Sequence, residues 1–109
     1  MFYVSKRIEV AGAHRLSLPY QSKCSNLHGH NWIITVHCKS AKLNSSGMVC
    51  DFASIGEFVK NTLDHQCIND ILSVNPTAEN IAKYLCYNIE NCYKVEVCES
   101  ENNLAVYEI

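Results

Sequence analysis

From Phe2 to His14 the even positions, Phe2, Val4, Lys6, Ile8, Val10, Gly12 and His14, are mostly apolar, while Tyr3, Ser5, Arg7 and Glu9 between them are mostly polar. A period of two marks a half-buried strand, because successive side chains point to opposite faces of a sheet. The polar stretch SLPYQSKCSN then predicts a loop. LHGHNWIITVHC predicts a second strand from its β-branched and aromatic content, with His28, His30, Trp32, Ile34 and Val36 on one face. The period changes in CDFASIGEFVKNTLDH, where Phe52, Ile55, Phe58, Val59 and Leu63 fall on one helical stripe behind Asp51 as N-cap, and this helix is expected to stop near Asp64. NPTAENIAKYLCYNIENC opens on a helix-start signal and sets Ile81, Leu85 and Ile89 along one side. KVEVCES and NLAVYEI alternate again around the turn-like SENN, which predicts a closing hairpin. The order β-β-α-α-β-β predicts an α+β fold, a four-stranded antiparallel sheet with two helices on one face.

With 109 residues and no repeat, low-complexity tract or linker, the chain reads as one domain, residues 1–109, around a single core. A net charge of −2 lacks the basic excess that a phosphate-backbone binder needs, so nucleic acid is not an expected partner. No apolar run is long enough to cross a bilayer, and MFYVSKRIEV lacks the basic, apolar and small-residue succession of a secretory signal; a cytoplasmic protein without a membrane partner is expected. Seven cysteines, an odd number with no C-x-x-C pair, do not suit a disulfide-stapled secreted scaffold. Cys38, Cys50, Cys67, Cys86, Cys92 and Cys98 have apolar neighbours, among which a free thiol packs as a small hydrophobe. Only Cys24 lies in a polar, histidine-rich stretch.

That stretch, CSNLHGHNW, carries the candidate chemistry. His28 and His30 are two apart on a strand and present two imidazoles on one side, and His14 ends the first strand on the parity of its apolar face. If the two strands are neighbours, all three can grip one ion. Three neutral imidazoles with an open fourth position describe a catalytic zinc site; Cys24 as fourth ligand would instead close it into a structural one, and spacing alone allows both. His37 has the opposite parity and is expected to face away. Asp64 and His65 form either an acid/base dyad or a helix end whose imidazole complements the dipole. Glu99 shares a face with Val95 and Val97, so its carboxylate is either buried against a cationic or amidine-like ligand edge or solvated in the turn. Cys24 with a histidine would also suit a thiol hydrolase.

AGAHRL, CSNLHGHN, the Asp51–Phe52 pair, LDH at Asp64 and His65, NPTAENIAKYL, and VEVCES with Tyr107 beyond it occur in an order that resembles the 6-pyruvoyl-tetrahydropterin synthase and 6-carboxy-5,6,7,8-tetrahydropterin synthase family. The likeness spans nearly the whole chain and rests on the combination, since each motif alone is weak. The three residues between Cys24 and His28 resemble the carboxy-tetrahydropterin synthases of queuosine biosynthesis, whereas the pyruvoyl synthases have a longer gap. Gly12, where alanine is common, and Ser100, where threonine often follows the glutamate, depart from the pattern.

The resemblance implies a tunnelling fold assembled into trimers, often paired as hexamers, with sites between subunits. It implies His14, His28 and His30 as ligands of Zn2+, Cys24 as the catalytic thiol, Asp64 and His65 as the acid/base pair, and Glu99 as the anchor of the pterin. The implied reaction is conversion of 7,8-dihydroneopterin triphosphate into 6-carboxy-5,6,7,8-tetrahydropterin, acetaldehyde and triphosphate. The pyruvoyl synthase acting on the same substrate and a non-catalytic structural-zinc module are the alternatives.

Overall fold

The alternation of the first two segments resolves into β1 (Phe2–His14) and β2 (His28–Ser40), which pair antiparallel along their whole length in a computed structural model describing residues 1–109. The pairing runs without a shift from Phe2 opposite Ser40 to His14 opposite His28. Because the side-chain period is two, this register puts every even residue of both strands on one face. Ile8, Val10, Trp32, Ile34, Val36 and Cys38 are buried there.

Both helices cover that face. Helix α1 (Phe52–Leu63) packs over β1 and helix α2 (Ala78–Asn88) over the closing hairpin of β4 (Cys92–Ser100) and β5 (Asn103–Glu108). Asp51 caps α1 as its sequence predicts, its side chain accepting from Ala53 N at 2.9 Å. Ile55, Val59 and Leu63 are buried from α1, and Ile81, Ala82, Leu85 and Cys86 from α2. Phe52, expected on the buried stripe, is exposed in the first turn of α1, and Phe58 is half-buried. Helix α2 stops at Asn88, before the predicted segment ends; Asn91, at φ +63°, turns the chain directly into β4, which gains Cys92 and Tyr93.

The sheet has five strands, one more than predicted, in the order β3-β1-β2-β4-β5. The extra strand, β3 (Gln66–Cys67), runs parallel to β1 beside Gly12 and Ala13. Two residues are too few to show an alternation. Gly12 makes this join close: a Cβ there would stand 3.1 Å from the carbonyl oxygen of Leu63 and 3.3 Å from Ile68 Cδ1, tighter than an ordinary contact. The absent side chain lets the end of α1 reach β1, and Trp32 Nε1 donates to Gly12 O at 3.1 Å. The second face of the sheet carries no helix, and Arg7, Glu9, Leu104 and Val106 are exposed.

Candidate active site

The register of β1 and β2 builds the candidate metal centre. His14, the last residue of β1, faces His28, the first of β2, and His30 is the next residue on the same side. The ring centroids lie 4.6 Å (His14–His28), 4.8 Å (His28–His30) and 5.2 Å (His14–His30) apart. One nitrogen from each converges within 4.8 Å of the others.

Backbone carbonyls orient two of the rings. His14 donates from Nδ1 to Pro76 O at 2.8 Å, and His28 from Nδ1 to Asn26 O at 2.7 Å. A carbonyl only accepts, so Nδ1 carries a proton, and it is Nε2 that the neutral ring would offer as a ligand. His14 is fully buried, and its Nε2, like that of His30, is buried without a hydrogen-bond partner. An unmet buried nitrogen costs about 1–3 kcal/mol, which a bound cation would recover. Burial holds the His30 imidazole below its ordinary pKa, opposed by Glu99 and assisted by the His14 and His28 rings, and so favours the neutral form that ligates a metal. Two buried, unpartnered nitrogens, one of them on an imidazole held below its ordinary pKa, fit a metal ion. The sulfur of Cys24 is not among the converging atoms, so the geometry does not assemble the closed, four-ligand arrangement.

Glu99 closes the cluster from β4. Its carboxylate oxygens lie 3.9 Å from His14 Nε2 and 3.7 Å from His30 Nε2, and its side chain is 24% exposed. The β4–β5 register steps from Cys98 opposite Leu104 to Ser100 opposite Asn103, which leaves Glu99 as the extra residue of a bulge. A bulge re-aims a side chain beside a site. Glu99 therefore belongs to the centre and is not solvated in the turn with Glu101. A cleft of about 500 Å³ opens beside it, walled by Leu16, Leu18, Tyr20, Leu104 and Thr77, within the size range of small-molecule sites.

Cys24 occupies a 3-10 turn, Lys23–Ser25, in the loop between β1 and β2. Ser22 Oγ accepts from its N–H at 3.1 Å, and its carbonyl accepts from Leu16 N at 2.8 Å, so the half-buried thiol is held by both ends of its residue. Asp64 and His65 stand on the edge of β1 away from β2. Asp64 Oδ1 accepts from Ala11 N at 2.9 Å and its Oδ2 lies 3.1 Å from His65 Nδ1. The Ala11 N–H, aided by His65 and Lys60, holds the Asp64 carboxyl below the usual carboxylate range despite some desolvation. His65 is 83% exposed, adopts φ +58°, and lines a groove of about 540 Å³ with His30 and Gly29. His37 faces the other way, as its parity predicts, and meets Glu96 at 2.6 Å.

The carbonyl partners of His14 and His28 were not legible as such. NPT marks a helix start, and nothing in it says that Pro76 O will meet a histidine 62 residues earlier.

Fold and site together define a class: a helix-backed antiparallel sheet ending in a three-histidine centre able to hold a metal ion. Residues 3–109 match the family described as 6-pyruvoyl tetrahydropterin synthase. The chain is 34% identical to the 6-carboxy-5,6,7,8-tetrahydropterin synthase of Synechocystis sp., covering 98% of this chain and 93% of that protein. It is 31% identical to human 6-pyruvoyl tetrahydrobiopterin synthase, covering 95% and 89%. The solved structure of Caenorhabditis elegans 6-pyruvoyl tetrahydropterin synthase superposes with a TM-score of 0.77 at 26% identity, over 98% of this chain and 94% of that one. The chain belongs to the 6-pyruvoyl tetrahydropterin synthase family, a family of pterin synthases, and has its α+β tunnelling fold.

Proposed function

We propose that this protein is a zinc-dependent 6-carboxy-5,6,7,8-tetrahydropterin synthase. It converts 7,8-dihydroneopterin triphosphate into 6-carboxy-5,6,7,8-tetrahydropterin, acetaldehyde and triphosphate in the queuosine pathway of the cytoplasm. The whole chain acts as one tetrahydropterin synthase domain within a homo-oligomer, a trimer or a hexamer. The observation that carries the reading is the trio of converging imidazoles, two of them, His14 and His30, with buried, unpartnered Nε2 atoms, and no thiolate among them. The 34% identity to the Synechocystis carboxy-tetrahydropterin synthase, against 31% to the human pyruvoyl enzyme, supports the carboxy branch.

His14, His28 and His30 would hold the zinc, which when bound supplies Lewis acidity toward the hydroxyls of the substrate side chain. Cys24, pinned in its turn, serves as base, and a nearby cation or imidazolium favours the thiolate this needs. Asp64, ionised at neutral pH, accepts from His65 Nδ1–H and leaves Nε2 to carry the second proton. Glu99 receives the 2-amino and ring N–H edge of the pterin, a planar donor pair matched to a carboxylate, with the 500 Å³ cleft beside it to take the ring. His65 is 83% exposed at the sheet edge, where it would also be available to the centre of a neighbouring protomer.

The test is to incubate zinc-loaded protein with 7,8-dihydroneopterin triphosphate, identify the pterin by mass and assay acetaldehyde. A carboxy-pterin with stoichiometric acetaldehyde is expected. A pyruvoyl product without acetaldehyde moves the protein to the sister activity, and a metal-bound but inert protein leaves a structural-zinc module.

A further inference from the structure

Four of the seven cysteines gather at the end of the sheet opposite the histidines, although they are far apart in sequence. Cys38 on β2, Cys86 on α2 and Cys92 on β4 are buried in one core cluster, with half-buried Cys50 packed against it. Cys38 faces the thiols of Cys92 and Cys50, and Cys92 faces those of Cys38 and Cys86, so the sulfurs form a row with Cys38 between Cys50 and Cys92. Cys50 is the member with access. It lines a cleft of about 530 Å³ with Lys42, Met48, Asp51 and Phe58.

Cys38 and Cys92 are cross-strand partners. Lys39 N, one residue on, donates to Asn91 O, one residue back, at 2.9 Å. That pattern marks the narrow, non-hydrogen-bonded kind of antiparallel pair, which in a regular ladder has Cα atoms about 4.5 Å apart; the β2–β4 register shifts next to this pair, between His37 and Cys38. The separation lies inside the range a disulfide spans, roughly 4.4–6.8 Å. Both side chains point into the core.

We propose that Cys50, Cys38 and Cys92 form a hydroperoxide-responsive thiol relay that ends in a Cys38–Cys92 disulfide bolting β2 to β4. The Cys50 sulfur attacks the peroxide; an S–O bond forms, the O–O bond breaks, and water (or an alcohol) leaves. The Cys38 sulfur attacks the resulting sulfenic acid; an S–S bond forms, the S–O bond breaks, and hydroxide leaves as water with the Cys38 proton. The Cys92 sulfur then attacks Cys38 and displaces Cys50, which takes up the Cys92 proton and is regenerated. One peroxide is reduced by two electrons, and two thiols become one disulfide. The contact between the two thiols lowers the pKa of Cys92 and raises that of Cys38. Burial pushes Cys86 up to about 12 and keeps it a spectator.

The test is to treat reduced full-length protein with one equivalent of hydrogen peroxide, alkylate the remaining thiols, and map the digest without reduction. The Cys38–Cys92 linked peptide is expected to dominate and to disappear with dithiothreitol. Cys50→Ala should slow its formation by roughly tenfold or more, since Cys38, Cys86 and Cys92 are buried, while Cys98→Ala should form it at the wild-type rate. Oxidation confined to Cys24, Cys67 and Cys98, with Cys38 and Cys92 still alkylated after unfolding, would overturn the proposal. So would a Cys50→Ala protein that acquires the disulfide as fast as the wild type.

Discussion

The imidazole of His14 donates from Nδ1 to the carbonyl oxygen of Pro76 at 2.8 Å, tying the last residue of β1 to the turn that starts α2. One bond thus fixes the ring's tautomer and anchors the helix. His14 and His28 should therefore behave differently when truncated. Both His14→Ala and His28→Ala are expected to lose bound metal, measured by elemental analysis. His14 is fully buried and His28 partly exposed, so His14→Ala should also lower unfolding free energy by about 2–4 kcal/mol through the emptied space and the orphaned carbonyl. His28→Ala should cost less than about 1 kcal/mol. Equal stabilities in denaturant titrations would show that the His14–Pro76 contact carries no weight in the fold.

Cys24 separates ligand from base. If its thiol moves protons, Cys24→Ala keeps the wild-type metal content and loses about 10²–10⁴-fold in kcat, the usual worth of a positioned base. Metal lost together with activity would return the thiol to the ligand set.

Glu99 is placed to feel both the histidines and a ligand in the adjoining cleft. Glu99→Gln keeps the shape but turns one acceptor into a donor facing the pterin's own N–H groups. Pterin affinity, followed by fluorescence titration, should weaken about 10–100-fold, the equivalent of one charge-assisted bond of roughly 1.5–3 kcal/mol, with metal content unchanged. Undiminished affinity would remove Glu99 from the pterin pocket.

Local periodicity made β1, β2, both helices and the final hairpin legible, because each buries one face and the sequence must repeat with the period of that face. It also placed His14, His28 and His30 on one side and His37 on the other, and the observed pairing then brings the trio together. What stayed hidden depends on contacts between distant segments. β3 is two residues long and exists because His65 N bonds Ala11 O and the chain runs on along β1. The bulge that aims Glu99 is a mismatch between two strands, visible in neither alone. The cysteines read one by one as small hydrophobes; that Cys38 and Cys92 are cross-strand partners is a fact of register.

Asp64 links the β1 edge to His65, and its titration should be visible in stability. Its carboxyl is held below the ordinary range chiefly by the Ala11 N–H, with His65 and Lys60 assisting. A carboxyl whose folded pKa is depressed stabilises the fold above its unfolded pKa, and that contribution is lost as pH falls through the folded value. Asp64→Ala should therefore melt below the wild type at neutral pH. The gap should narrow as the buffer is taken below the ordinary carboxylate pKa, where the wild-type group becomes protonated too. Thermal melts of both proteins across this acid range check the sign. A gap that is constant, or that widens in acid, would mean that Asp64 acts through packing and not through its charge. The role proposed for His65 would then need another acceptor to orient its ring, because Asp64 Oδ2 is the one beside Nδ1.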